Sequence, residues 1–321
     1  MTQIKTPELE GTPWVESPFF EELLATSGFD SETKEKIRFF HEHGYLVLDL
    51  NIEGFDQKAE AIINKLKPEQ DKESRVQDAW SYIPEVKDLA CHPEVIKWLE
   101  ILYRRRPIPF QTLNFKMGTQ QATHSDLVHF NSFPERFMAG VWMALEDTDE
   151  NNGALHYYPK SHKLPVFELH DIGIKASSFK MQNEQYKQYE HFVQKLMKDS
   201  GLEKKTVPMK KGQVLIWAAN LFHGGDPIKD LSRTRHSQVT HFYFDNCRYY
   251  TPLYSDVYLE TIWWKEFVDI RTGKLVPHKY LGQKVGLPLK QRLRYFVERS
   301  LRHNKTGQNI VKKLKKLLTS R

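Results

Sequence analysis

From Thr112 to Phe244 the chain runs in short apolar segments of strand type, each cut off by turn chemistry, and this pattern restricts the fold more than any other feature. The segments are Thr112–Lys116, His124–Phe130, Val141–Leu145, Ala154–Tyr158, Val214–Trp217 and Gln238–Phe244. Asn151-Asn152-Gly153 supplies a hairpin turn ahead of the fourth. Many short strands in succession predict a sandwich or small barrel, because each strand must cover its apolar face with another. Tyr186, Tyr189, Phe192, Val193, Leu196 and Met197 recur at helical spacing, so a helical insertion is expected near 180–200.

The N-terminal third reads as helix. Asp30 and Ser31 cap a helix through Ile37, Phe39 and Phe40 that stops at Gly44, and Tyr45–Leu48 follows as a strand. A second helix covers Gln57–Lys67 and is ended by Pro68; a third covers Pro93–Tyr103. Residues 1–110 are thus expected to be a mostly helical part, 111–250 an all-β core, and 251–321 a C-terminal extension. The chain is 40% hydrophobic and 12% aromatic, ample for a buried interior. No segment approaches the roughly 18 apolar residues of a membrane span. Two cysteines, Cys91 and Cys247, make neither a disulfide framework nor a thiolate cluster. Together with an N-terminus lacking a basic start and apolar stretch, they lead us to expect a cytoplasmic protein.

The net charge of +6 is unevenly placed. Residues 284–321 carry twelve Lys or Arg against the single acid Glu298, a charge of +11, so the other 283 residues total −5. A mildly acidic body argues against a nucleic-acid partner.

His124-Ser125-Asp126 lies on an expected strand, where residues i and i+2 face the same side. A third ligand is offered by His223, in Leu221-Phe222-His223-Gly224-Gly225 after the strand ending at Trp217. Two histidines and one carboxylate with open positions form the donor set of non-haem iron oxygenases. Alone, His-x-Asp carries little weight in a chain with fourteen histidines; a histidine beside a solvated aspartate is the ordinary case. Arg235 opens the strand leading to His241-Phe242-Tyr243-Phe244, and a guanidinium grips a carboxylate through two parallel hydrogen bonds. Arg233 competes for that role, and pairing with a surface acid is the alternative for either.

These residues resemble the phytanoyl-CoA dioxygenase family, from Phe39-Phe40-His41-Glu42-His43-Gly44-Tyr45 to about Tyr254. The segments that carry the likeness are His124-Ser125-Asp126, Trp142–Asp147, Asn152-Gly153-Ala154-Leu155, Pro159-Lys160-Ser161-His162, Gly212-Gln213-Val214, His223-Gly224-Gly225 and Arg235. The resemblance implies a double-stranded β-helix, a cupin-like jelly roll, flanked by helices. It implies iron(II) at His124, Asp126 and His223, with 2-oxoglutarate chelating the metal and O2 as oxidant. Arg235 matches the arginine that holds the far carboxylate of 2-oxoglutarate, Trp142 a cosubstrate-pocket tryptophan, and Lys116 a lysine near that pocket. The usual Pro-Gly-Ser-His turn reads Pro159-Lys160-Ser161-His162 here; lysine lacks glycine's freedom at positive φ, so this turn is expected to differ. His162 reads as a turn residue rather than a ligand, while His129 is a candidate for substrate contact.

The implied reaction is hydroxylation of an unactivated C–H bond of a small-molecule metabolite, with release of succinate and carbon dioxide. No catalytic residue is assigned beyond the metal ligands. Halogenase relatives lack the carboxylate ligand, and Asp126 is present. Two other readings compete: a non-oxidative metal-dependent isomerase or hydrolase of cupin type, and an inactive binding protein of the same fold. Tyr249–Tyr254 and Ile262-Trp263-Trp264 line a pocket or, as aromatic runs commonly do, fill a core. In the tail, Leu293, Phe296, Val297 and Leu301, then Ile310, Val311, Leu314, Leu317 and Leu318, recur at helical spacing beside lysines. Such helices suit an anionic membrane surface or acidic partner, or pack on the body.

Overall fold

The computed structural model describes residues 6–175 and 182–302, with side chains of the last helix described to 295. Its helices are α1 (Phe20–Ala25), α2 (Ser31–His43), α3 (Phe55–Gln70), α4 (Pro84–Ala90), α5 (Pro93–Tyr103), α6 (Gln182–Asp199) and α7 (Leu289–Arg302). The strands that matter here are β1 (Tyr45–Asp49), β2 (Arg75–Gln77), β3 (Pro107–Phe115), β4 (Asn131–Phe133), β5 (Met138–Ala144) and β6 (Leu155–Tyr157). They continue with β7 (Lys205–Val207), β8 (Gln213–Ala218), β9 (His223–Gly225), β10 (Ser237–Phe244) and β11 (Arg248–Tyr250).

Six strands form one antiparallel sheet in the order β1-β8-β5-β10-β3-β2; β7-β6-β9 and β11-β4 form smaller sheets. The fold is a double-stranded β-helix with flanking helices. Register then decides which side chains share a face. One row across the large sheet reads Gln77, Leu113, Val239, Trp142, Leu215, Val47. The next reads Gln111, His241, Gly140, Trp217, Tyr45. This inner face packs against Tyr157 and Val207 of the small sheet. The other face carries Leu46, Val214, Ile216, Val141 and Met143 into a larger core with Ile62 and Leu66 of α3 and Leu99 of α5. Helices thus seal the back of the sheet and leave its inner face to the site.

Local chemistry explains the edges. Asp30 caps α2 by accepting from the Thr33 N–H at 2.8 Å, and Gly44 ends it at φ 80°. Gly44 is required twice over, since a Cβ there would lie 2.3 Å from His162 Nδ1. The turn at Pro159–His162 closes that helix end: the Lys160 N–H donates to His43 O and His162 Nε2 lies 3.1 Å from His41 O. His162 is a structural turn residue.

Several expectations need correction. Lys160 does adopt the left-handed conformation, φ 72°, so the turn survives the loss of glycine, held by its bond to His43. Helix α3 runs past Pro68 to Gln70, the proline falling in its last turn, where few backbone bonds are at stake. His124–Phe130 is not a strand: His124 makes an isolated bridge with His223, and Asp126–Val128 is a 3-10 turn capped by the Ser125 hydroxyl. The insertion is α6, whose Tyr189, Val193 and Met197 pack on Val128, Leu169 and Phe222. In the tail, α7 docks through Gln291 to Ile262 O and Tyr295 to Trp264 O, while Leu293 faces solvent, 56% exposed. The second basic helix lies outside the described residues. Among the described residues no helix is long and apolar enough to cross a membrane.

Candidate metal centre and cosubstrate pocket

The bridge between His124 and His223, closed by N–H···O bonds of 2.9 and 3.0 Å, sets two imidazoles side by side with centroids 4.6 Å apart. The 3-10 turn that follows swings Asp126 beneath them. Asp126 Oδ1 lies 3.8 Å from His124 Nε2 and 3.9 Å from His223 Nε2, and all three are buried. One ligand atom from each lies within 4.8 Å of the others. The Nδ1 atoms sit 2.9 Å from Ala122 O and Leu221 O. A carbonyl only accepts, so each Nδ1 carries the hydrogen and each Nε2 keeps a lone pair, that of His124 also approached by the Gln121 amide at 3.3 Å.

Electrostatics favour the ligand forms. Burial holds His124 down at about 4, and it lowers His223 as well, so both are neutral near pH 7. Burial would raise the Asp126 carboxyl, but His223, His241 and His124 and the Trp217 N–H outweigh it and hold the group at about 2. Trp217 Nε1 donates to Asp126 Oδ2 at 2.8 Å, and His241 Nε2 lies 3.8 Å from that same oxygen. Oδ2 is thereby engaged from the sheet, and Oδ1 is left to face the two histidines. Trp217 reaches it by crossing Gly140, where a Cβ would sit 2.1 Å from the indole.

The centre opens into a cavity of about 450 Å3. Arg235 lines it and is 1% exposed, with its guanidinium 5.6 Å from the Trp142 ring. Burial pushes Arg235 down to about 10, against the pull of Glu146, so it stays charged. Its Nε and Nη1 have no hydrogen-bond partner among the described residues, nor does Trp142 Nε1. A buried, charged, unsatisfied guanidinium is costly unless an anion completes it. Arg233 is spoken for: its Nη1 holds both Asp149 oxygens at 2.9–3.0 Å near the surface. His129 also lines the cavity, its ring tilted against that of Tyr186 with centroids 5.0 Å apart, and burial holds it down at about 3. Lys116 is turned away; its ammonium pairs with Asp71 at 2.6 Å. Of the aromatic runs, Tyr249 is core and Tyr250 stacks on Phe133, whereas Tyr254 lines the cavity.

Reading the sequence missed Trp217 and His241. His241 was within reach, since it shares strand parity with Arg235 through Ser237 and Val239. Trp217 had no local signal, because its partner lies 91 residues away.

Residues 40–237 match the family model for phytanoyl-CoA dioxygenase (PhyH). The chain belongs to the phytanoyl-CoA dioxygenase family. It is accordingly an iron(II)- and 2-oxoglutarate-dependent oxygenase that uses O2. The peroxisomal phytanoyl-CoA dioxygenase of Bos taurus is 24% identical over 253 residues, covering 67% of this chain and 69% of the relative. The phytanoyl-CoA dioxygenase of Arabidopsis thaliana is 27% identical over 232 residues, covering 70% and 71%. Among solved structures, the carbocyclase SnoK from nogalamycin biosynthesis superposes with TM-score 0.53 at 17% identity, covering 73% of this chain and 90% of that one. EctD from S. alaskensis with bound Fe superposes with TM-score 0.53 at 15% identity, covering 71% and 81%. At such identities the solved structures bear on the fold alone.

Proposed function

We propose that this oxygenase hydroxylates an unactivated C–H bond of a small-molecule metabolite, with iron held by His124, Asp126 and His223. The observation that carries the reading is the convergence of Nε2, Oδ1 and Nε2 beside the unsatisfied Arg235 guanidinium. Two neutral imidazoles and one carboxylate suit iron(II) and leave coordination positions for a chelating cosubstrate and oxygen. Iron bound there supplies the coupling of 2-oxoglutarate decarboxylation, to succinate and carbon dioxide, with two-electron oxidation of the substrate.

The rest is the work of the chain. Arg235 takes the far carboxylate of 2-oxoglutarate, with Trp142 as the wall beside it. Trp217 orients Asp126 so that one oxygen serves the metal. His129, neutral and facing the cavity, borders the substrate. The apolar side chains of Leu113 and Val239 on the large sheet, and of Leu155 on β6, line the cavity and keep water from it.

The test is anaerobic loading with iron(II) and 2-oxoglutarate, followed by oxygen. About one iron per chain, a weak visible charge-transfer band and succinate formation are expected. Zinc- or manganese-supported turnover without succinate would favour a non-oxidative isomerase or hydrolase instead, and Asp126→Ala must abolish succinate formation if the ligand assignment holds.

A further inference from the structure

Two cations that line the cavity have no counterpart in the chemistry above. Arg75 is on β2, paired in register with Phe115, and Lys265 comes from the C-terminal extension beyond the family match. Both line the cavity that holds the metal centre. Lys265 Nζ stands 4.4 Å from the Phe130 ring and 5.5 Å from that of Phe110. The His241 ring packs on the same two rings, at 5.0 and 6.1 Å, so Lys265 and His241 share one aromatic wall.

Neither cation has an ion-pair partner among the described residues. Asp78 is the acid nearest in influence to Lys265. Its oxygens accept instead from the Thr112 N–H, the Trp80 indole and the Gln77 amide. Asp126 is the only carboxylate among the cavity's lining residues. Burial pushes the Lys265 ammonium down to about 8.

Charge balance makes the surplus specific. Iron(II) with Asp126 leaves one positive charge, 2-oxoglutarate with Arg235 leaves one negative charge, and the two cancel. Lys265 and Arg75 remain: Lys265 is half-buried, where an uncompensated cation is expensive, and the exposed Arg75 lines the same cavity with Gln77 and Gln111. A cavity of about 450 Å3 that must also admit 2-oxoglutarate leaves room for a compact partner.

We propose that the substrate is a compact small molecule bearing an oxyanion, a carboxylate or phosphate, which Lys265 and Arg75 hold while the carbon to be oxidised faces the metal. This rests on the oxygenase reading of the same site. It assigns to the C-terminal extension a part in substrate selection.

The experiment titrates the anaerobic protein, loaded with iron(II) and saturated with 2-oxoglutarate, with four matched probes: hexanoate, hexyl phosphate, hexanol and hexylamine. Calorimetry should show at least one oxyanion binding about tenfold or more tightly than the alcohol and the amine. The tighter of the two names the group. Lys265→Met and Arg75→Gln should each erase about tenfold of that preference while the 2-oxoglutarate visible band stays in place, and Lys265→Arg should retain most of it. Arg75 is exposed, so its replacement does not threaten the fold. Failure of both oxyanions to bind, equal binding of oxyanion and alcohol, or a preference that survives in the double variant would overturn the proposal. If iron or the 2-oxoglutarate band is missing, the oxygenase reading fails by itself; the same titration on metal-free protein then decides the anion site separately.

Discussion

Asp126 divides its two oxygens between different neighbours, and that division is the most consequential residue-scale feature of the site. Oδ2 accepts from the Trp217 indole at 2.8 Å, which leaves Oδ1 toward the histidines. Trp217→Phe keeps an aromatic ring, smaller than the indole, and removes the donor. It should weaken iron(II) binding roughly tenfold to a hundredfold, read by metal titration, with little change in thermal stability. In the same cavity, Arg235→Ala should raise the KM for 2-oxoglutarate on the order of tenfold to a hundredfold and leave iron content intact. Arg233→Ala should do neither, because Arg233 is engaged by Asp149. The reverse pattern would move the cosubstrate site. The arginine choice stayed open in the sequence since both residues share strand parity; only burial separates them.

At the scale of elements, the site depends on rows across the large sheet. His241, Gly140 and Trp217 are neighbours on β10, β5 and β8, and Gly140 is the gap over which the indole passes. Gly140→Ala places a methyl inside that ring, and the indole must move. Overpacking of this kind costs roughly 1–3 kcal/mol. A lower Tm, accompanied by iron loss resembling that of Trp217→Phe, is the expected result. An unshifted Tm would mean that the indole has another place to go. The same scale shows why one sequence expectation failed. His-x-Asp was read as strand alternation, yet the pair is delivered by a two-residue bridge and a 3-10 turn capped by Ser125. Spacing of two brings side chains together in either geometry, so the ligand pair was legible while its element was not.

For the whole molecule, buried histidines make stability depend on pH. Burial holds His162 at about 3 and His278 at about 4, whereas an unfolded histidine takes a proton near 6.5. Between those values the unfolded chain binds more protons than the folded one, so stability is full above about 6.5 and is lost as pH falls through the window. Each such histidine costs about 1.4 kcal/mol per pH unit until its folded value is reached. The Tm should therefore decline steadily from pH 7 to 4.5, and His162→Gln should flatten the decline. A flat Tm over that range would contradict the buried neutral assignment.

The β-rich texture, the caps of α2 and the His124/Asp126 pair were legible in local sequence, because alternation, capping and donor chemistry act over a few residues, whereas the choice between Arg233 and Arg235 was not. Trp217 on Asp126, Gly140 beneath the indole, and Lys265 across from His241 were decided only by folding. The three pairs lie 91, 77 and 24 positions apart and meet through sheet register or an irregular connection. Lys116 shows the converse: its motif placed it near the pocket, but the rim of β3 gave it Asp71 as a nearer partner. Short-range physics names the chemical groups; which of them meet is settled by the packing of sheets, where one residue of register turns a side chain from cavity to core.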